Sequence, residues 1–148
     1  ARLVHVENND AETCKRFADG EVAADAHVVT DGHAGYSAKS LGGRGHDAVV
    51  QTKAERREAD AVQGCHWTTS NCKRWLLGTH AGAVSAKHLQ AYFDEFVFRY
   101  NRRKTDGPAR IAARLIESVV AKPARTMRQI IDGARRCRRF GSVHAALA

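Results

Sequence analysis

The chain has 148 residues, a length typical of one globular domain. Apolar residues make up 43% of it and charged residues 27%, with two prolines, so the composition excludes a disordered or collagen-like chain. The formal charge is +8, and no apolar stretch approaches the ~20 residues that cross a bilayer, so we expect no membrane span.

The first half of the chain has the pattern of an α/β protein. Residues 3–7 predict a short strand, and Asn9, with Glu12 three residues later, predicts the capped start of a helix. Residues 26–31 predict a second strand, and residues 46–52, after a glycine-rich turn, predict a third. The order strand, helix, strand predicts parallel strands that are joined by a crossover helix.

The second half of the chain has helical periodicity. Apolar residues recur at intervals of three and four over residues 68–77 and, with an aromatic stripe, over residues 85–101. We expect this stripe to pack in the core, which is the usual role of aromatic residues in helical phase. Further helices are predicted over residues 109–121 and from a cap at Thr126 to the arginines of residues 135–139.

The positive charge lies in the last third of the chain. Residues 1–100 carry 12 Lys and Arg against 13 Asp and Glu, whereas residues 101–148 carry 12 against 3. A basic segment beside a neutral body is typical of a surface that binds a polyanion. A solvated helical face would have the same composition.

Asp31 is the first candidate functional residue. It ends a predicted strand and precedes Gly32 and Gly35. An acidic side chain at the carboxyl end of a parallel strand lies at the crevice where α/β proteins bind ligands, and glycines there let a ligand approach closely. The alternative is a turn-forming Asp before Gly, which is common.

His66 and Lys73 form the second candidate. On a helix, positions i and i+7 lie on one face, so an imidazole that could ligate a divalent metal would lie two turns from an ammonium that could hold a phosphate. There are 34 residues between Asp31 and His66. The alternative for His66 is a structural or solvated histidine.

The four cysteines are too few and too scattered for a disulfide framework, which indicates a reduced, cytoplasmic protein. Cys65, His66, Cys72 and His80 are close in sequence and raise the question of zinc. The six residues between Cys65 and Cys72 do not match the close cysteine pairs of structural zinc sites, which argues against that metal.

Five segments of the chain carry a resemblance to a known family: Thr30–Tyr36, His66, Ser70–Gly82, Lys87–Tyr92 and Asp94–Arg103. In this order they resemble the ISXO-like insertion-sequence transposases, a group of the DDE transposases, whose catalytic core is ribonuclease-H-like. The resemblance extends from about residue 3 to residue 105, and its most specific part lies between Lys73 and Arg103.

The resemblance implies a metal-dependent phosphoryl transfer that cleaves and joins DNA strands at the ends of an insertion sequence. It implies that Asp31 is the second acidic ligand, that His66 stands in place of the third, and that Lys73 contacts the DNA end. The implied cofactor is Mg²⁺ or Mn²⁺, and Mn²⁺ tolerates an imidazole better because Mg²⁺ prefers oxygen. The implied partners are DNA and further copies of the chain. The residues expected to contact DNA are Lys73, Arg74, Arg102, Arg103, Lys104, Arg135, Arg136, Arg138 and Arg139.

The implied fold is an α/β ribonuclease-H-like core, a mixed sheet flanked by helices, over residues 1–105, with a basic helical tail over residues 106–148. In the family the first catalytic Asp lies upstream of the strand that residues 3–7 resemble. We therefore expect the chain to lack the first two strands and one metal ligand, and to be inactive as it stands. The alternative is a non-catalytic DNA-binding or interaction protein that uses the basic tail.

Overall fold

The computed structural model describes residues 1–131 and the backbone of residues 146–147. Within these residues the chain is a mixed α/β protein with six helices and four short strands. In chain order the elements are β1 (Leu3–Val4), α1 (Ala11–Glu21), β2 (His27–Thr30), β3 (Gly45–Ala48), α2 (Lys53–Glu58), α3 (Gln63–His80), α4 (Ala86–Asn101), α5 (Pro108–Val120), α6 (Met127–Ile131) and β4 (Ala146–Leu147).

The described strands form two separate two-stranded sheets instead of one mixed sheet. Strands β2 and β3 are parallel and are joined by a loop without a helix, while β1 pairs antiparallel with β4. The predicted parallel pairing across α1 is therefore wrong. Strand β1 bonds instead to β4 and to the side-chain amide of Gln90, which contacts the backbone of Leu3 and His5. Because β4 is a strand, the tail is not helical throughout.

Helix α1 begins one residue later than predicted. Its cap is Asp10, whose carboxylate accepts a hydrogen bond from the backbone N–H of Thr13 at 2.8 Å. Asn9, the predicted cap, instead accepts a long contact of 3.7 Å from the thiol of Cys14. Both residue types cap helices well, so the choice depends on the path of the chain as it leaves β1.

The other helix predictions are largely confirmed. Helix α4 begins after Ser85 and α6 after Thr126, as predicted, and α3 is longer than the predicted 68–77. Helix α2 was not predicted, although Thr52 and Glu55 form a capping box at its start. The third strand ends at Ala48 because the following residues lead into that cap. The arginines of residues 135–139 lie outside the described residues.

The main core lies where β1 meets α3 and α4. Leu3, Cys72, Phe93 and Phe96 form a buried cluster, and the partly buried Trp75 packs against it. The aromatic stripe of α4 is thus core, as predicted. A second cluster joins β1 to α1 through three further buried residues, Val4, Val6 and Phe17. None of the helices within residues 1–131 is long and apolar enough to cross a bilayer.

Truncating Phe96 tests the main core. Phe96→Ala should lower the free energy of unfolding by about 3 to 5 kcal/mol, because a buried aromatic ring is lost and a cavity remains. Leu115→Ala on α5, where the side chain is exposed, should change it by less than about 0.5 kcal/mol. Urea unfolding followed by circular dichroism measures both, and equal losses would contradict this description of the core.

Replacing Asp10 tests the cap of α1. The hydrogen bond from the Thr13 N–H lowers the pKa of Asp10, so its stabilising effect is present above the unfolded pKa of ~3.9 and is lost as the pH falls through the folded value. The free energy by which the wild type is more stable than Asp10→Ala should therefore decrease as the pH is lowered. Asp10→Asn caps the helix without a charge, so the difference in free energy of unfolding between Asp10→Asn and Asp10→Ala should not depend on pH. Urea unfolding at a series of pH values distinguishes the two; a parallel decline in both would contradict the assignment.

Candidate functional site

Asp31 directly follows β2, at the carboxyl end of the parallel pair, as predicted. Its Oδ1 accepts a hydrogen bond from the backbone N–H of His33 at 3.2 Å, and its Oδ2 has no hydrogen-bond partner among the described residues. Gly32 has a φ of 79°, and a Cβ there would lie 2.6 Å from a methyl carbon of Val50. A residue with a Cβ would be strained at this positive φ, so the turn after Asp31 favours glycine.

His66 lies in the first turn of α3. Its Nδ1 is 2.6 Å from Oδ2 of Asp60, a residue of the loop that precedes the helix. Oδ1 of Asp60 also accepts a hydrogen bond from the backbone N–H of Val62, with a nitrogen–oxygen distance of 3.1 Å. The bond to His66 is the main cause of a lowered pKa for Asp60, whose carboxyl is therefore ionised at neutral pH.

Asp31 and His66 line the same cavity, of about 230 Å³, between the end of β2, helix α1 and the start of α3. This is the pair that the sequence predicted, from residues that are 35 positions apart. The rest of the wall combines apolar side chains, among them Phe17, Val28 and Leu41, with polar ones, which are Asn9, Cys14, Thr30, His33, Tyr36, Cys65 and Thr69.

The neighbours of Asp31 are weak acids that stay protonated. Burial, with smaller effects from Cys14, Asp31 and Cys65, raises the pKa of Tyr36 to about 12. Burial also raises the pKa of both thiols, and for Cys65 the charges of Asp31 and Asp60 add to the effect. At neutral pH the phenol of Tyr36 and the thiols of Cys14 and Cys65 are thus uncharged.

Two side chains of the cavity wall, those of Asp31 and His66, are of types that ligate divalent ions. Within residues 1–131, no three His, Cys, Asp or Glu side chains are grouped so that they could hold a metal. Asp31 and His66 nevertheless offer an oxygen and a nitrogen to one cavity. Mg²⁺ and similar ions commonly keep several waters and take only one or two protein carboxylates with substrate phosphates.

The residues considered for zinc are dispersed. Cys65 lines the cavity, Cys72 lies in the main core, and His80 packs against the ring of Tyr92 with centroids 4.4 Å apart. The three described cysteines are free thiols, and Cys137 lies outside the described residues.

The described basic residues that are expected to contact DNA are not part of the cavity wall. Lys73 and Arg74 are exposed on α3, the helix that carries His66. Arg102 and Arg103, after α4, stack on the rings of Phe98 and Tyr100, with guanidinium carbons 3.8 and 4.1 Å from the ring centroids. Lys104 is exposed. Arg135, Arg136, Arg138 and Arg139 lie outside the described residues.

Asp60 was missed in the sequence. An Asp shortly before a helical pattern is an available signal, because such residues often bond to the first backbone N–H groups. Nothing in that pattern indicates that the second carboxylate oxygen reaches His66. Tyr36 belongs to the Thr30–Tyr36 segment that carries the family resemblance, but its place in the cavity wall was not predicted.

Comparison with known protein families gives a match over most of the chain. The model of the family described as ISXO2-like transposase domain matches residues 1–101, about two thirds of the chain. No curated protein and no solved structure matches the chain. The matched range contains β1 to α4 and both residues that share the cavity, so the chain belongs to the family of ISXO2-like transposase domains.

Proposed function

We propose that this chain acts in DNA transposition by phosphoryl transfer, the cleavage and joining of strands at the ends of an insertion sequence, and that Asp31 and His66 supply two of the three ligands that this reaction requires. The observation that carries the proposal is the cavity that Asp31 and His66 share at the carboxyl end of β2. Membership of a transposase family supplies the substrate class. We also propose that the parallel pair β2–β3 and its flanking helices belong to a ribonuclease-H-like core.

We assign a role to each of three residues. Asp31 offers Oδ2 to a divalent cation, since its Oδ1 is held by the turn. His66 offers Nε2, which has no hydrogen-bond partner among the described residues. Lys73, exposed two turns further along α3, holds a phosphate of the DNA end as a point charge. Mg²⁺ or Mn²⁺, when bound, activates the attacking oxygen and neutralises charge on the phosphoryl group.

DNA binding is proposed for the basic side chains beyond the cavity. Residues 101–131 carry eight Lys and Arg against two Asp and Glu. Stacking on Phe98 and Tyr100 holds Arg102 and Arg103 in place and leaves their charge available. Neutralising several phosphates in this way makes binding strongly dependent on salt.

A second candidate is a non-catalytic DNA-binding protein. It is favoured by the donor set, because the described residues offer two ligands and no third. Both candidates use the basic surface, but only the first requires the carboxylate of Asp31. Loss of metal binding on changing that carboxylate therefore separates them.

Self-association stays a prediction from the family resemblance, and a cytoplasmic location stays a prediction from the four scattered cysteines. The support for self-association in the structure is apolar surface on α5. This helix has no buried residue and exposes Leu115, Ile116 and Val119.

Asp31→Asn tests the catalytic proposal. The amide keeps the acceptor for the His33 N–H but lacks the charge, so Mn²⁺ should bind about 100-fold more weakly or worse. If the wild type nicks supercoiled DNA in the presence of Mn²⁺, Asp31→Asn should lose that activity together with Mn²⁺ binding. Electron paramagnetic resonance of free Mn²⁺ measures the binding.

The control for Asp31→Asn is Asp25→Asn, because Asp25 is an exposed residue away from the cavity. It should leave Mn²⁺ affinity and nicking unchanged. Equal Mn²⁺ binding by wild type and Asp31→Asn, or nicking that survives in Asp31→Asn, would reject the catalytic proposal and favour the non-catalytic candidate.

Lys73→Gln tests DNA contact. The variant should weaken binding to DNA of any sequence and reduce the slope of log affinity against log salt by about 1, because one phosphate contact is lost. Lys39→Gln, at an exposed lysine outside the expected DNA-contacting set, should leave the slope unchanged. Fluorescence anisotropy with labelled duplex across a salt series provides the measurement, and indistinguishable slopes for Lys73→Gln and the wild type would exclude the contact.

A further inference from the structure

The carboxylate of Asp60 is held at both oxygens. Oδ1 accepts the backbone N–H of Val62 at 3.1 Å, and Oδ2 is 2.6 Å from Nδ1 of His66. The Asp60 side chain is 14% exposed, against 41% for that of His66. Asp60 does not belong to the cavity wall, whereas His66 does. Asp60 bonds to two residues of the cavity wall, to Val62 through its backbone and to His66 through its imidazole.

An ionised carboxylate can only accept hydrogen bonds, so the short contact requires a proton on Nδ1 of His66. In a neutral imidazole the other nitrogen, Nε2, then carries the lone pair. Nε2 has no hydrogen-bond partner among the described residues. The ring is thereby prepared as an electron-pair donor through one defined atom.

We propose that Asp60 is a positioning residue that holds His66 in the Nδ1–H tautomer, so that Nε2 is the atom offered to a divalent cation beside Asp31. The tautomer is a property of the free protein and does not depend on the proposed function. The use of Nε2 as a ligand rests on the proposed function. A partner carboxylate of this kind commonly fixes the orientation and basicity of a metal-ligating histidine.

A purely structural role for Asp60 would be to anchor the loop at the start of α3. Asp60→Asn separates the two roles, because the Val62 N–H requires an oxygen at the Oδ1 position. The amide nitrogen then takes the place of Oδ2 and donates to Nδ1 of His66. The loop anchor is kept, but the proton of the imidazole is moved to Nε2.

The first measurement is the tautomer in the metal-free 148-residue chain. Long-range ¹H–¹⁵N correlation spectra, recorded about two units above the ordinary imidazole pKa of ~6.5, identify the protonated nitrogen, and His66→Gln assigns the signals. The wild type should show Nδ1–H and Asp60→Asn should show Nε2–H, with thermal unfolding little changed. A wild type in the Nε2–H form, or an unchanged tautomer in Asp60→Asn, would overturn the proposal.

The second measurement is Mn²⁺ affinity, which should fall about 10- to 100-fold in Asp60→Asn. Asp47→Asn is the matched control, because Asp47 bonds to Nε2 of His27 at 2.7 Å and neither residue lines the cavity. Asp47→Asn should change the NMR signals of His27 and leave both the Mn²⁺ affinity and the tautomer of His66 unchanged. An equal fall of Mn²⁺ affinity in Asp47→Asn would overturn the role of Asp60.

The outcomes for the two proposals are distinct. If the wild type binds no Mn²⁺ but the tautomer changes as described, the proposed function fails and the positioning of His66 by Asp60 is supported. If Mn²⁺ binding depends on Asp31 but not on Asp60, the proposed function is supported and the positioning role is overturned.

Discussion

The side-chain amide of Gln90 joins the strand half of the chain to its helical half. Its Oε1 accepts the N–H of His5 at 2.8 Å, and its Nε2 donates to the carbonyl of Leu3 at 3.1 Å. A two-residue strand is too short to be stable alone, and its buried backbone groups need partners. With those groups bonded to α4, the side chain of Leu3 packs against Phe93 and against Cys72 of α3.

The position of the candidate site follows from this junction. Helix α3 is held against the core by Cys72, and the same helix carries His66 near its start and Lys73 on its exposed surface. Asp31 comes from the other half, at the end of a parallel strand pair. The cavity thus lies where two independently anchored elements meet, with a carboxylate and an imidazole on its wall and cationic side chains further along α3. With the cationic side chains outside the cavity, a polyanion could bind along α3 while a cation binds in the cavity.

Local patterns predicted the elements better than their partners. Helix α4 follows from the in-phase aromatic residues and the cap at Ser85, because the period of 3.6 is a property of neighbouring residues. The pairing of β1 could not be predicted in the same way, since its partner strand begins at residue 146 and a short apolar strand is compatible with many neighbours. The choice of Asp10 over Asn9 as a cap is similarly beyond local pattern, because both residue types cap a helix equally well.

The sequence by itself determined that Asp31 lies at the end of a strand before glycine, that Lys73 lies on a helix, and that the excess positive charge lies after residue 100. These features depend on spacing along the chain and on composition. Only the tertiary structure decided that Asp31 and His66 share a cavity, that Asp60 holds Nδ1 of His66, and that Tyr36 lies half-buried on the same wall. Those facts depend on where loops place side chains after the core has packed, and contacts of that kind are set by the whole fold and leave no periodic signal in the sequence.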